Sequence, residues 1–151
     1  MEVSIAKSKY VQLSELGSRF NLSFSGQLTL SNSIIALDGV KKSLLVFETN
    51  KPLNQAYVIE LKKVAAITVK KMYGSIRPGE LKNKKIDEFL KRIDLQFEYE
   101  DNNKTIVLPF YERETDDRRD LQELERYAGN WQVMLSKIAG LQTGRPQTGI
   151  L

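Results

Sequence analysis

The side chains available for chemistry in this 151-residue sequence are carboxylates, amines, guanidinium groups and hydroxyls, because it contains neither cysteine nor histidine. That composition excludes disulfides, thiolate metal sites and thiol nucleophiles, and it removes the most frequent general base. Carboxylate, lysine, tyrosine and hard-oxygen metal chemistry remain. Asp38, Glu60 and Glu80 are weak candidates for an enzyme or small-ligand site. We therefore expect no enzyme, no cofactor and no metal site.

Cations are concentrated between residues 70 and 85, which read KKMYGSIRPGELKNKK and include one acid, Glu80. Residues 62–92 carry ten basic and three acidic side chains, a net charge of +7, against +1 for residues 1–61 and −4 for residues 93–151. A local excess creates a potential that the mild chain-wide charge of +4 hides. The candidate anion- or membrane-binding residues are Lys70, Lys71, Arg77, Lys82, Lys84 and Lys85. The other interpretation, which the sequence favours, is a solvated loop and strand edge, where lysines discourage edge-to-edge aggregation.

The stretch KNKKIDEFLKR has two interpretations if it is helical. It could be a basic amphipathic helix that binds a surface or partner, with its lysines and arginine beside Phe89. We favour the other interpretation, in which an apolar stripe packs into the core. The stripe residues are Ile86, Phe89, Leu90 and Ile93.

Two further kinds of site are weighed against ordinary structural roles. The aromatic residues Tyr73, Phe89 and Tyr99 could stack on bases, as in single-strand binders, but no RNA-binding signature accompanies them, and we do not expect nucleic acid. The acids between residues 116 and 125 alternate with arginines, so they indicate a capped, salt-bridged helix rather than a metal cluster.

The elements that must position these residues follow from periodicity. We predict a short helix at about residues 9–19, then short β-rich runs that include a hairpin around Asp38-Gly39. YVIELKKVAAITVKK is one long bent strand or two strands, and IDLQFEY alternates as a half-buried antiparallel strand. Near the end, apolar residues recur at helical spacing: Leu121, Leu124, Ala128, Trp131, Leu135 and Ile138. The predicted fold class is therefore α+β, with six or seven antiparallel strands in a strongly bent sheet or barrel and a capping C-terminal helix.

Residues 25–138 resemble the pleckstrin-homology-like (PH-like) barrel of bacterial PH-like and GRAM-like domains. Three stretches carry the resemblance: IIALDGVKKSLLVF, YVIELKKVAAITVKK, and LQFEYEDNNKTIVLPFY followed by a helix. The resemblance implies a structural role for Trp131, as the mid-helix residue that plugs the barrel. The chain departs from the inositol-lipid pattern, because Lys41-Lys42 is followed by Ser43-Leu44-Leu45 with no arginine.

These observations give a domain plan and a set of functional hypotheses. We predict an N-terminal helical extension over residues 1–24, a PH-like domain over residues 25–139 and a disordered tail over residues 140–151. No signal peptide or membrane span is recognisable, so we expect a cytoplasmic protein, with the inner face of a membrane as one place of action. The first hypothesis is a non-catalytic interaction module that binds a protein partner or itself, with residues 62–92 as the segment that could place it at an anionic membrane surface. The alternatives are a small-ligand-binding protein or enzyme, and a non-specific nucleic-acid binder.

Overall fold

The computed structural model describes residues 9–49, 55–101 and 104–141. Within these residues the chain has an α+β fold in which seven antiparallel strands form two sheets. Helix α1 spans Lys9–Arg19 and helix α2 spans Leu121–Ala139. The strands are β1 (Gly26–Thr29), β2 (Ser33–Asp38), β3 (Ser43–Glu48), β4 (Gln55–Glu60), β5 (Val64–Tyr73), β6 (Leu90–Tyr99) and β7 (Thr105–Glu112). The predicted fold class is confirmed.

Two compact units, residues 1–62 and residues 63–151, divide the chain. A single 3₁₀ turn, Leu61–Lys63, separates β4 from β5. The segment YVIELKKVAAITVKK therefore forms two strands and not one bent strand. Its two strands, β4 and β5, belong to different sheets. The domain boundaries expected from sequence stay a prediction, and the expected tail lies outside the described residues beyond Leu141.

The first unit is a four-stranded meander, β1-β2-β3-β4, with α1 packed on it. Leu13 of α1 is buried in the same cluster as four residues of β2 and β3: Ile34, Ala36, Leu45 and Phe47. Such a cluster exists because the alternate residues of a strand share one face, and an amphipathic helix covers that face. The N-terminal helix is thus part of the core of this unit.

Helix α1 ends in a Schellman-type cap. The N–H of Leu22 donates to the carbonyl of Gly17 at 2.7 Å, and the N–H of Asn21 donates to Ser18 at 3.1 Å. Asn21 takes the left-handed conformation that this cap needs (φ 59°), which asparagine tolerates better than most residues. A Cβ on Gly17 would lie 2.7 Å from the ring of Phe24, so the glycine permits the returning chain to approach closely.

The second unit is a three-stranded sheet, β5-β6-β7, with α2 packed against all three strands. The side-chain amide of Gln132 on α2 donates to the carbonyl of Ile67 on β5 at 2.9 Å. Pro109 lies in edge strand β7, beside a register shift between Ile93 and Asp94, as expected for a residue without an N–H. Asp117 caps the 3₁₀ turn that leads into α2 by accepting from the N–H of Arg119 at 2.8 Å.

The predicted helix in KNKKIDEFLKR is wrong beyond its first turn. Residues Ile86–Phe89 form one 3₁₀ turn, and β6 begins at Leu90. Leu90, Ile93, Leu95 and Phe97 are buried in this strand. Pairing with β5 on one side and β7 on the other satisfies the backbone of this segment, and that gain exceeds a weak local helical preference.

Candidate anion-binding loop

The segment between β5 and β6 forms a closed excursion, which we call the basic loop (residues 75–88). The N–H of Gly74 donates to the carbonyl of Phe89 at 2.7 Å and brings the two ends together. The guanidinium of Arg113, just after β7, donates to the carbonyl of Glu88. Phe89 is buried next to this closure. The loop therefore has a fixed base, as compact surface loops with neighbouring ends do.

Two of the acids in the basic loop bond to its own backbone. Glu80 Oε1 accepts from the N–H of Arg77 at 2.6 Å, and Glu88 Oε2 accepts from the N–H of Lys85 at 3.1 Å. The backbone carbonyl of Glu80 accepts from the backbone N–H of Lys84 at 3.0 Å, and this bond closes a short turn. These bonds order the loop, and the two carboxylates keep their negative charge, which offsets part of the charge of the loop cations.

The cations of the basic loop project into solvent. Arg77, Lys82, Lys84 and Lys85 are all exposed. Lys84 forms a long ion pair with Glu80 at 3.9 Å, and its ammonium lies 5.9 Å from the ring centre of Phe89. Within residues 9–49, 55–101 and 104–141, no ion pair forms at Arg77, Lys82 or Lys85. The three acids of residues 75–88 hold the net charge of the loop itself at +1, so the positive potential that attracts anions comes from its exposed cations together with the wider +7 excess of residues 62–92.

The two strand lysines of the predicted site are arranged differently. Lys70 and Lys71 are adjacent on β5, so their side chains leave opposite faces of the sheet. The ammonium of Lys71 bonds to the carboxylate of Glu125 on α2. That bond raises the pKa of Lys71 above its ordinary value of 10.5. The structure thus gathers four of the six predicted residues on one loop and places Lys71 in a contact between the sheet and the helix.

Sequence reasoning missed the apolar residues of the basic loop. Leu81 is 52% exposed and Ile86 is 48% exposed, although Ile86 was expected to face inward with Phe89, Leu90 and Ile93. The other three stripe residues are buried as predicted, so the prediction was wrong for Ile86. Met72 and Tyr73, at the end of β5, are also partly exposed. A lone leucine among Glu80, Lys82 and Lys84 was the sequence signal that could have identified Leu81.

Two of the three carboxylates considered for catalysis have local structural roles. Asp38 accepts from the N–H groups of Ser23 at 2.9 Å, Val40 at 3.0 Å and Lys41 at 2.9 Å. Those bonds lower the pKa of Asp38 below its ordinary value of 3.8, and the bond from Ser23 has the largest effect. Glu80 holds the basic loop, and Glu60 is exposed at the end of β4. In the part of the chain that is described, no three His, Cys, Asp or Glu side chains are grouped to hold a metal ion.

One cleft combines charges of both signs. It has a volume of about 270 Å³ and is lined by Lys91, Arg92, Glu112, Arg113 and Glu114. Its arginines are already engaged, since Arg92 pairs with Asp94 and Arg113 bonds to Glu88. These existing contacts make the cleft a poor site for an anion, which would have to displace them.

The aromatic candidates differ in exposure. Phe89 is buried and unavailable for stacking, while Tyr73 is partly exposed and Tyr99 carries Lys104 at 5.4 Å from its ring centre. Trp131 on α2 is half-buried, whereas Ala128 and Leu135 of the same stripe are fully buried. Its plugging role stays a prediction.

Comparison with known proteins finds no matching family model, no matching curated protein and no matching solved structure. Among the described residues, no helix is long and apolar enough to cross a membrane.

Proposed function

We propose that this protein is a non-catalytic interaction module that binds an anionic surface through the basic loop. The observation that supports the proposal is the difference between the acids and the cations of that loop. Two of its three acids, Glu80 and Glu88, bond to the backbone and Asp87 is exposed, while Arg77, Lys82 and Lys85 are exposed without an ion pair among the described residues.

The expected binding is weak and sensitive to salt. A lysine or arginine near an anionic membrane contributes about 1 kcal/mol, and the attraction decays within a Debye length of about 8–10 Å at ordinary ionic strength. The three loop cations without an ion pair, offset in part by the acids of the loop, therefore supply enough energy for weak, reversible recruitment but not for a permanent anchor. This range suits a module that acts together with a second contact.

Architecture gives the proposal further support. A four-stranded antiparallel sheet, a three-stranded antiparallel sheet and a C-terminal helix, in that order, are compatible with PH-like topology. PH-like folds host many roles, so the fold alone does not choose a ligand. The basic loop connects β5 to β6, whereas the departure from the inositol-lipid pattern lies in the β2–β3 hairpin at Lys41-Lys42.

Binding to a protein partner or to a second copy is the alternative form of the proposal. Head-to-tail self-association would need an acidic face on α2 to meet the basic loop. Several acids in and just before α2 have a cationic partner within the chain: Glu125 pairs with Lys71, Glu123 lies 3.7 Å from Arg126, and Asp117 lies 2.6 Å from Arg119. Self-association is therefore the less favoured form.

Co-sedimentation with lipid vesicles tests the proposal. We expect the wild type to sediment with vesicles that contain phosphatidylglycerol and to remain in solution with pure phosphatidylcholine. The triple variant Lys82→Glu, Lys84→Glu, Lys85→Glu should lose binding. The matched control is Lys104→Glu, Arg118→Glu, Lys137→Glu, which makes the same change in net charge at exposed positions outside the basic loop. Equal loss in both variants would show that net charge, and not the loop, governs binding.

A further inference from the structure

Nine large apolar side chains are exposed among the described residues, and four of these nine lie within fifteen positions of one another in sequence. These four are Met72, Tyr73, Leu81 and Ile86. Leu81 and Ile86 belong to the basic loop, between and beside its cations. Single exposed apolar residues are ordinary on protein surfaces, but a local group among exposed cations indicates a binding site.

The fold holds these two side chains out of the core. The 3₁₀ turns Glu80–Lys82 and Ile86–Phe89 contain Leu81 and Ile86 respectively, and Glu80 and Glu88 fix those turns by accepting backbone N–H bonds. Phe89 at the end of the second turn is buried, so the core takes one apolar residue of that turn and leaves Ile86 at 48% exposure. Their exposure is therefore a property of an ordered loop.

Ile76 and Pro78 add to the apolar part of the loop. Together with Arg77, Gly79, Leu81 and Lys82 they line an open groove. Cationic and apolar groups thus alternate along a single short segment. A lipid bilayer offers the complement to both, since its headgroup layer carries anions and its acyl boundary accepts apolar side chains at a depth of about 5–10 Å.

We propose that Leu81 and Ile86 insert into the acyl boundary of an anionic bilayer while the loop cations bind the lipid phosphates. This inference rests on the proposed function and extends it from adsorption at a charged surface to insertion in a lipid surface. The charges select the anionic membrane and set the orientation of the loop. The apolar side chains add binding free energy that salt does not screen.

Insertion predicts a behaviour that adsorption does not. Replacing one fully inserted leucine or isoleucine by serine should weaken vesicle binding by about tenfold without changing net charge. The matched control is Val40→Ser. Val40 is 92% exposed in the β2–β3 hairpin, outside the basic loop, and Lys41 and Lys42 follow it in the sequence. The native chain has no cysteine, so one introduced cysteine gives a unique site for a fluorescent label.

The experiment uses Leu81→Cys, Ile86→Cys and Val40→Cys, each labelled with an environment-sensitive fluorophore in the full chain. With phosphatidylglycerol vesicles we expect a blue shift at Leu81 and Ile86, quenching there by lipids that carry a quencher in the acyl chain, and neither effect at Val40. Co-sedimentation without a blue shift would overturn insertion and leave the proposed function intact. Absence of co-sedimentation would overturn both.

An acidic protein partner is the competing occupant, and polyglutamate is the probe for it. Binding of the labelled loop to polyglutamate as tight as to vesicles, together with no blue shift on vesicles, would overturn insertion and assign the loop to an acidic protein surface. Weak binding to polyglutamate that is lost in salt, with vesicle binding retained, is the result we expect.

Discussion

The Nη2 atom of Arg92 lies 3.0 Å from Oδ1 of Asp94, two residues further along the same face of β6. Asp94 is completely buried, and its Oδ2 atom has no hydrogen-bond partner among the described residues. A buried carboxylate is unfavourable unless it is paired, so Arg92 makes the burial of Asp94 tolerable. We predict that Arg92→Leu lowers the free energy of unfolding by about 2–3 kcal/mol, measured by urea denaturation.

The control for this prediction is Arg118→Leu, which removes an exposed arginine and should change the free energy of unfolding by less than about 0.5 kcal/mol. The double variant Arg92→Leu, Asp94→Leu should recover most of the loss, because an apolar pair replaces a half-satisfied ionic one. Equal destabilisation by the single and double variants would contradict the assignment of the loss to the unpaired carboxylate.

Asp38 gives the protein a dependence on acidic pH. Its pKa is lowered from 3.8 by the N–H groups of Ser23, Lys41 and Val40. A lowered pKa means that the contribution to stability is present above the unfolded-state pKa and is lost as pH falls through the folded-state pKa. The wild type should therefore lose stability as the pH drops below about 4, and Asp38→Asn should lose less between about pH 7 and about pH 3. Denaturation midpoints at the two pH values check this.

Asp117 supplies the comparison for the Asp38 result. Arg119 lowers the pKa of Asp117 to about 2, so the contribution of Asp117 has the same sign. Asp117 is exposed, and solvent screens its pairing with Arg119. Asp117→Asn should therefore leave the pH dependence nearly as steep as in the wild type, and a larger flattening in Asp117→Asn than in Asp38→Asn would contradict the account.

The pairing of Lys71 with Glu125 should contribute little to stability. Both side chains are about one-third exposed, and such pairs contribute about 0.2–1 kcal/mol. The raised pKa of Lys71 implies a contribution that is present at neutral pH and lost only as pH rises above 10.5 through the folded-state pKa. A double-mutant cycle with Lys71→Met and Glu125→Gln measures the coupling. A value above about 2 kcal/mol would show that the contact is more than a screened surface pair.

Leu13 tests whether α1 is part of the core. Because it is buried among Ile34, Ala36, Leu45 and Phe47, Leu13→Ala should lower the free energy of unfolding by about 2–5 kcal/mol. The matched substitution Val11→Ala removes an exposed apolar side chain of the same helix and should cost less than about 0.5 kcal/mol. Similar denaturation curves for the two variants would mean that α1 is a dispensable extension.

The sequence predicted the elements whose signals are local. The apolar spacing of KYVQLSELGSR located α1, the Asp38-Gly39 pair located the β2–β3 hairpin, and the stripe from Leu121 to Ile138 located α2. Each depends on residues close in sequence, such as the cap at Asn21.

The errors arose where distant residues decide the outcome. Leu90 and Ile93 fit a helical stripe with Phe89, but their pairing with β5 and β7 makes them strand residues. Asp94 is a polar position of the alternating stretch IDLQFEY, a pattern that predicts a solvent-facing side chain, yet it is buried beside Arg92. In the candidate site, the six cations were identified from charge alone. The engagement of Lys71 by Glu125, 54 positions away, could not be predicted without the packing of α2 on β5.

Hydrogen exchange of the full chain with and without phosphatidylglycerol vesicles tests the central claim most directly, because it locates the contact without a substitution. Exposed loop amides exchange quickly, and contact with lipid slows that exchange. The account predicts slower exchange confined to residues 75–88 and the adjoining end of β5. Slower exchange in the β2–β3 hairpin or α2 with residues 75–88 unchanged, or no change anywhere, would contradict it.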